Sequence, residues 1–217
     1  RNKILITIPL EMKLNPEEES ILDGNCGEAA RAALEFQISI GEFFKADGFI
    51  PIRSAHLAAD PESLRDAGAA YLEEMVTKGA RFRVPTTTNA GTVDFNKSSE
   101  VGQRDIWPQR ATRVLDSLEA MGAHLCNTCV NYQTVDQPLY GEHLAWGDTG
   151  TVIWANSVAG ARSNFEAGPA ALAAGLTGRV PRYGFHIPEQ RRATVRVSVE
   201  AIPQGRAAWG ALGCLIG

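Results

Sequence analysis

Apolar side chains in this chain come in short blocks, each followed by a polar loop and then by a run with helical spacing. Residues 3–10 alternate weakly and read as a strand. Asn15-Pro16-Glu17-Glu18 reads as a helix start, with an amide cap, a proline where no N–H is needed, and acids at the positive end of the dipole. Gly24 interrupts. A second helix over 26–45 spaces Ala29, Ala33, Leu34, Phe36, Ile38, Ile40 and Phe43 mostly on one side. Phe49-Ile50-Pro51-Ile52 reads as a short buried strand that opens into a polar loop, 53–60. Asp60-Pro61-Glu62 starts a helix over 61–78, with Leu64, Ala67, Tyr71, Leu72 and Met75 on one face. Arg81 to Val84 reads as the next strand, and the hydroxyl-rich residues 85–91 as its loop.

A helix over 105–121, a short strand at His124-Leu125 and a loop over 126–132 follow. Residues 141–157 read as a helix beginning near Glu142, which would put Glu142 and Trp146 on one face. Gly168-Pro169 starts another helix through Leu176, and residues 193–202 alternate as a late strand. The repeated order of strand, loop and helix predicts an α/β fold, a mainly parallel sheet flanked by helices, over 1–217 as one domain. In open α/β sheets, sites gather beyond the carboxyl ends of the strands. Loops 53–60, 85–91 and 126–132 are therefore expected on one edge, sharing one site.

Composition narrows the function. The 217 residues carry a net charge of −4, with a pI near 5.6, a poor profile for binding nucleic acid. No apolar run reaches eighteen residues, so no transmembrane helix is expected. Four cysteines in a chain of this length do not make a disulfide scaffold, and a reducing cytoplasm is the expected compartment. Charge is uneven: residues 1–75 carry 7 basic and 14 acidic groups, whereas 161–217 carry 7 and 3, all seven bases being arginine. Arginine forks suit carboxylate or phosphate, and a solvated basic face is the plainer reading. The chain opens at Arg1 and closes on an apolar, glycine-rich run, 210–217, that reads as the middle of a buried element. A piece of a larger polypeptide is expected.

Candidate chemistry concentrates in the loops. Cys126-x-x-Cys129 fits half a zinc site, a redox pair, one ligand of an iron–sulfur cluster, or two free thiols, and no second C-x-x-C completes a structural zinc site. Cys26 and Cys214 read as core. Gly141-Glu142-His143 and Gly147-Asp148-Thr149 bring an acid, an imidazole and a hydroxyl into one segment, and Arg162 between Asn156 and Asn164 could hold a carboxylate. None of the closely spaced glycines forms a dinucleotide or P-loop motif, so nicotinamide and ATP chemistry are poor readings.

Several segments taken together resemble the aconitase X family. They are Ser54-Ala55-His56, Val84 to Asn89, Cys129-Val130-Asn131-Tyr132, Gly141 to Trp146, Ala155 to Asn164 and Gly168 to Arg179. The resemblance implies an aconitase-like catalytic domain, its first half only, running from about residue 12 to the end. It implies an iron–sulfur hydro-lyase whose [2Fe-2S] cluster, or alternatively [4Fe-4S], is held by three cysteines. Cys129 matches the first; Cys126 falls outside the ligand position. The other two ligands would lie in the missing half, and a small swivelling domain or subunit would complete the enzyme. Bacterial members of the family dehydrate cis-3-hydroxy-L-proline to Δ1-pyrroline-2-carboxylate, and archaeal members dehydrate 5-phosphomevalonate.

By family position the substrate contacts map onto Asn89 and Ala90, onto Asp148 and Thr149, and onto Ala59 and Asp60, with Ser54, His56 and Arg162 as further candidates. Thr149 and Asp148 are the implied catalytic pair, with His143 as an alternative base and a base from the missing half also open. The archaeal pattern has Asn-Pro at Asn89-Ala90 and Gly-Val-Ser at Ala59-Asp60-Pro61, so both departures favour the hydroxyproline branch. A non-catalytic remnant and a zinc module on Cys126 and Cys129 are the readings from other classes.

Overall fold

The structure, a computed structural model, describes residues 12–216. Asn15 starts helix α1 (Pro16–Leu22) with a capping box: its side chain accepts from Glu17 and Glu18 N–H, and Glu18 reaches back to the Asn15 N–H at 2.8 Å. Helix α2 (Glu28–Phe43) buries Ala29, Ala33 and Leu34, while Phe36 and Phe43 stay exposed. Strand β1 (Phe49–Pro51) leads into β2 (Ser54–Leu57), and helix α3 (Pro61–Thr77) follows with a kink at Arg65, where φ is 52°. Strand β3 (Thr86–Thr88), helix α4 (Ile106–Ala120), strand β4 (Leu144–Trp146) and helix α5 (Thr149–Trp154) come next. A π-helical turn extends α5 over Ala155–Ala159 and ends at Gly160, whose φ of 68° relieves the left-handed stop. Helix α6 (Gly168–Thr177) and strand β5 (Arg179–Pro181) complete the first compact unit, which ends at Ile187. The second unit begins at Pro188 and holds helix α7 (Gly205–Ile216), none of whose residues is buried.

The sheet that positions the site is parallel, in the order β3-β2-β4, with Ala55 opposite Thr86 and Ala145. Single bridges extend it at both edges, Thr87 to His124 on one side and Trp146 to Phe165 on the other. Strand alternation sorts the two faces. Ala55, Leu57 and Ala145 join the helices in the core, with Leu72 and Met75 of α3, Leu118 of α4 and Leu172 and Leu176 of α6. Each such fully buried leucine contributes about 1.5–3 kcal/mol. The opposite face carries Ser54, His56 and Thr87 beside Leu144 and Trp146, which pack with Val152, Ala155 and Ala161. A separate antiparallel pair joins β1 to β5. Beneath it, Arg179 forms a buried ion pair with Glu18 at 2.9 Å.

Several sequence expectations are corrected. The strand lies at Thr86–Thr88, not at 81–84, because threonine is a good strand residue and its hydroxyls find partners. Ser54 to Leu57 is the buried central strand rather than part of a loop. No helix starts near Glu142: Leu144–Trp146 is a strand, and the helix begins at Thr149 under an Asp148 cap, so Glu142 and Trp146 share no helical face. Residues 193–202 form no strand, and Val195, Val197 and Val199 are exposed. Cys26 and Cys214 are exposed rather than core, and the terminal run is an exposed helix. The strand expected over 3–10 lies outside the described residues.

Candidate active site

Three strand ends converge at the carboxyl edge of the sheet. Beyond β2 come Ala58, Ala59 and Asp60; beyond β3 come Asn89 and Ala90; beyond β4 come Gly147, Asp148 and Thr149. Asn89 joins the first two. Its Nδ2 donates to Asp60 Oδ1 at 2.7 Å, and its Oδ1 accepts the Ala59 N–H at 3.0 Å. The segment after His124 folds over the same edge, where the Cys126 thiol donates to the Thr88 carbonyl at 3.1 Å. Cys129 stands three residues further on, its thiol within hydrogen-bond reach of the Asp148 carboxylate and the Ala90 backbone. Burial raises the Cys129 pKa, and the Asp148 and Asp60 charges raise it further, while the Ala90 hydrogen bond opposes them. A cavity of about 190 Å³ opens beside this edge, lined by Ala59, Pro61, Thr88, Asn89 and Asn127 among others.

Asp148 is held by the start of α5: its Oδ1 accepts the Gly150 N–H at 3.1 Å, and its carbonyl accepts the Thr151 hydroxyl at 2.7 Å. Gly147 lets this turn pass close to its neighbours. A Cβ there would lie 2.4 Å from the Glu166 carbonyl oxygen and 3.1 Å from that of His56, so a larger residue would lift Asp148 off the sheet. Thr149 is exposed at the first position of α5.

The structure thus brings together Asn89, Ala90, Ala59, Asp60, Asp148, Thr149 and Cys129, with loops 58–60, 89–91 and 126–129 on one edge. It does not bring the other candidates there. Ser54 lies at the start of β2, fully buried, accepting from the Trp146 indole at 3.3 Å. His143 and Arg162 lie at the amino edge, bridged to each other, with His143 Nδ1 2.9 Å from His186 Nδ1. They are a strand length from Cys129. His56 lies one residue below the edge, fully buried, its Nδ1 2.8 Å from the Thr87 hydroxyl. Burial lowers its pKa to about 4, against the pull of Asp148 and Asp136, so the ring is neutral.

Sequence reasoning passed over Glu166, at the end of the edge segment beside β4. It is buried, burial raises its pKa to about 7, and its Oε1 has no hydrogen-bond partner among the described residues. Its only sequence signal was an acid just before the Gly168-Pro169 helix start. Asn131 and Asp136, also buried, were passed over because they follow Cys129 in what reads as ordinary polar loop.

Among the described residues no group of three or more His, Cys, Asp or Glu could hold a metal. Cys129 is half-buried at the edge with a backbone N–H directed at its sulfur. Cys126 is turned to the Thr88 carbonyl instead. No helix among the described residues is long and apolar enough to cross a membrane.

The fold is an α/β domain whose parallel sheet gathers acidic residues and a thiol at its carboxyl edge, and the comparisons identify it as aconitase-like. The sequence model described as "Aconitase X first domain" matches residues 11–189, and the chain belongs to the aconitase X family. The chain is 37% identical to the phosphomevalonate dehydratase large subunit of Methanothermobacter thermautotrophicus, over 94% of this chain and 51% of the relative. It is 36% identical to the cis-3-hydroxy-L-proline dehydratase of Pseudomonas aeruginosa, over 87% of this chain and 32% of the relative. The crystal structure of Thermococcus kodakaraensis aconitase X (holo-form) superposes with a TM-score of 0.85 at 36% identity, covering 94% of this chain and 51% of that one. The chain therefore spans about half the length of the archaeal relatives, and less of the hydroxyproline enzyme.

Proposed function

We propose that this chain is the first half of the catalytic region of an iron–sulfur hydro-lyase that dehydrates cis-3-hydroxy-L-proline. The observation that carries the reading is the pairing of Cys129 with Asp148 at an edge whose third strand end presents Asp60. Two carboxylates at one small site suit a substrate with a ring ammonium. They oppose a phosphate, whose repulsion by a single nearby charge costs on the order of 1–4 kcal/mol. Arg162, the cation that could have offset them, sits at the opposite edge.

Dehydration removes the Cα proton and the Cβ hydroxyl, and the two leave together as water. Asp148 holds the ammonium, and Asn89 has one amide hydrogen left to donate to the substrate carboxylate. Thr149 is this chain's candidate for handling the Cα proton, with a base from the remaining half of the region as the competing source. Cys129 would be one of three cysteine ligands of an iron–sulfur cluster, and iron bound there supplies a Lewis acid for the departing hydroxyl. Cluster type, [2Fe-2S] or [4Fe-4S], does not alter these assignments. The expected setting is the cytoplasm.

A second reading, dehydration of 5-phosphomevalonate, is favoured by relatives of that name at 33–40% identity. Identity does not separate the two, because the Pseudomonas enzyme reaches 36%. The test is to assay the full-length protein on both substrates. Turnover of hydroxyproline alone supports the first reading, and turnover of phosphomevalonate alone replaces it with the second.

A further inference from the structure

Beneath the candidate site, the face of the sheet opposite helices α3, α4 and α6 carries buried polar groups. His56, at 0% exposure, sits in the central strand with Thr87 beside it on β3 and Trp146 beside it on β4. The segment after Cys129 covers this face, with Tyr132 packed against the cluster of Leu144 and Trp146. Asp136 of that segment is buried and ion-pairs with Arg53, just before β2. The proposed chemistry does not use His56.

One contact fixes how the ring lies. The Thr87 hydroxyl is 2.8 Å from His56 Nδ1 and 3.4 Å from the Ala55 carbonyl. A hydroxyl has one proton to donate, and Nδ1 is the nearer acceptor. The proton of the neutral ring then stands on Nε2. That nitrogen lies across the ring from Nδ1 and points away from β3. It is buried and makes no direct hydrogen bond among the described residues, whereas a buried N–H is normally paired. Two carboxylates act on the ring, Asp148 more strongly than Asp136. Asp136 is already engaged by Arg53. Asp148 stands two residues beyond Trp146 with extended backbone, so strand alternation puts its side chain on the face of Trp146 and His56.

We propose that His56 is a positioning residue: its Nε2–H, aimed by Thr87, holds the Asp148 carboxylate in place for the substrate. The inference rests on the reading of Asp148 as a substrate contact and adds what holds that contact from the sheet. The Gly150 N–H holds it from the helix.

The experiment uses the full-length protein as His56→Gln and His56→Asn. Glutamine returns an N–H donor at the place of Nε2. Asparagine keeps an amide beside Thr87 and has nothing at Nε2. His56→Asn is expected to lower kcat/KM about tenfold or more, mainly through KM, and His56→Gln less than about threefold. Equal losses, or a greater loss with glutamine, overturn the proposal. The comparison is made on whichever substrate is turned over, so the choice of substrate is decided separately. A second measurement needs no turnover. Spectra of 15N-histidine-labelled protein, with His56 assigned from the His56→Gln variant, are expected to show Nε2 protonated. The signal is expected to move more in Asp148→Asn than in Asp136→Asn. A proton on Nδ1, or no response to Asp148→Asn, overturns the proposal. An unchanged KM in Asp148→Asn overturns the parent reading, and the proposal with it, and is told apart by that variant alone.

Discussion

Asn89 grips the β2 loop at two points, donating to the Asp60 carboxylate at 2.7 Å and accepting from the Ala59 N–H at 3.0 Å. One amide thereby ties the ends of two neighbouring strands and sets where the Asp60 charge stands. Replacing Asn89 with alanine removes both bonds, each worth about 1 kcal/mol in stability. In the full-length enzyme Asn89→Ala is expected to raise KM more than it lowers kcat, and to lower the melting temperature by only a few degrees. An unchanged KM would remove Asn89 from the substrate side of the site.

Cys129 and Cys126 are separable. Cys129→Ser is expected to abolish activity and most bound iron. Cys126→Ser only exchanges a weak thiol donor to the Thr88 carbonyl for a hydroxyl donor and is expected to keep both. Iron and sulfide analysis of the two purified variants checks this, and equal iron loss in both would point instead to a shared site on the two sulfurs.

Glu166 and His56 give stability opposite pH dependences. Burial raises the Glu166 pKa from 4.5 to about 7, so the folded protein prefers the protonated acid. Its contribution is full below pH 4.5, falls between pH 4.5 and 7, and amounts to about 3 kcal/mol. Glu166→Gln is expected to remove that decline, read as a smaller difference in denaturant midpoint between pH 5 and pH 8. Burial lowers the His56 pKa from 6.5 to about 4, so the stability tied to its neutral ring is full above pH 6.5 and lost as pH falls toward 4. His56→Gln is expected to flatten that acid arm.

The Glu18–Arg179 pair is buried on both sides, and Gln37 donates to the Arg179 carbonyl at 2.7 Å. Arg179→Ala leaves a buried carboxylate unpaired and is expected to cost about 3–5 kcal/mol, whereas Arg179→Met with Glu18→Gln costs less. Denaturant unfolding of the single and double variants measures the difference.

Helix starts were the most legible part of the sequence, because a cap, a proline and an acid are local signals. Asn15 and Gly168-Pro169 begin helices as read. The strands were the least legible. The parallel sheet has strands of three or four residues buried on both faces, too short for alternation to show, so Thr86–Thr88 and Ser54–Leu57 read as loops. Asp148 was legible as chemistry and misplaced as structure, since a helix cap and a mid-helix acid look alike without the strand before it. The convergence of three loops followed from topology alone. The separation of His143 and Arg162 from that edge depended on the register of β4, which no local pattern reveals.

The alternation in β2 also proofreads folding. Ala55 and Leu57 face the helices while Ser54 and His56 face away, and Ala55 and His56 are each paired to one residue on either side. Sliding β2 by one residue would push an imidazole and a hydroxyl among Leu72, Met75 and Leu172 and turn Leu57 toward the polar face. Such misaligned chains would lose Leu57 and Ala55 from the two core clusters they complete. The polar ring in the middle of the sheet therefore acts as a registration mark, and the strand that carries it cannot join its neighbours in the wrong frame and persist.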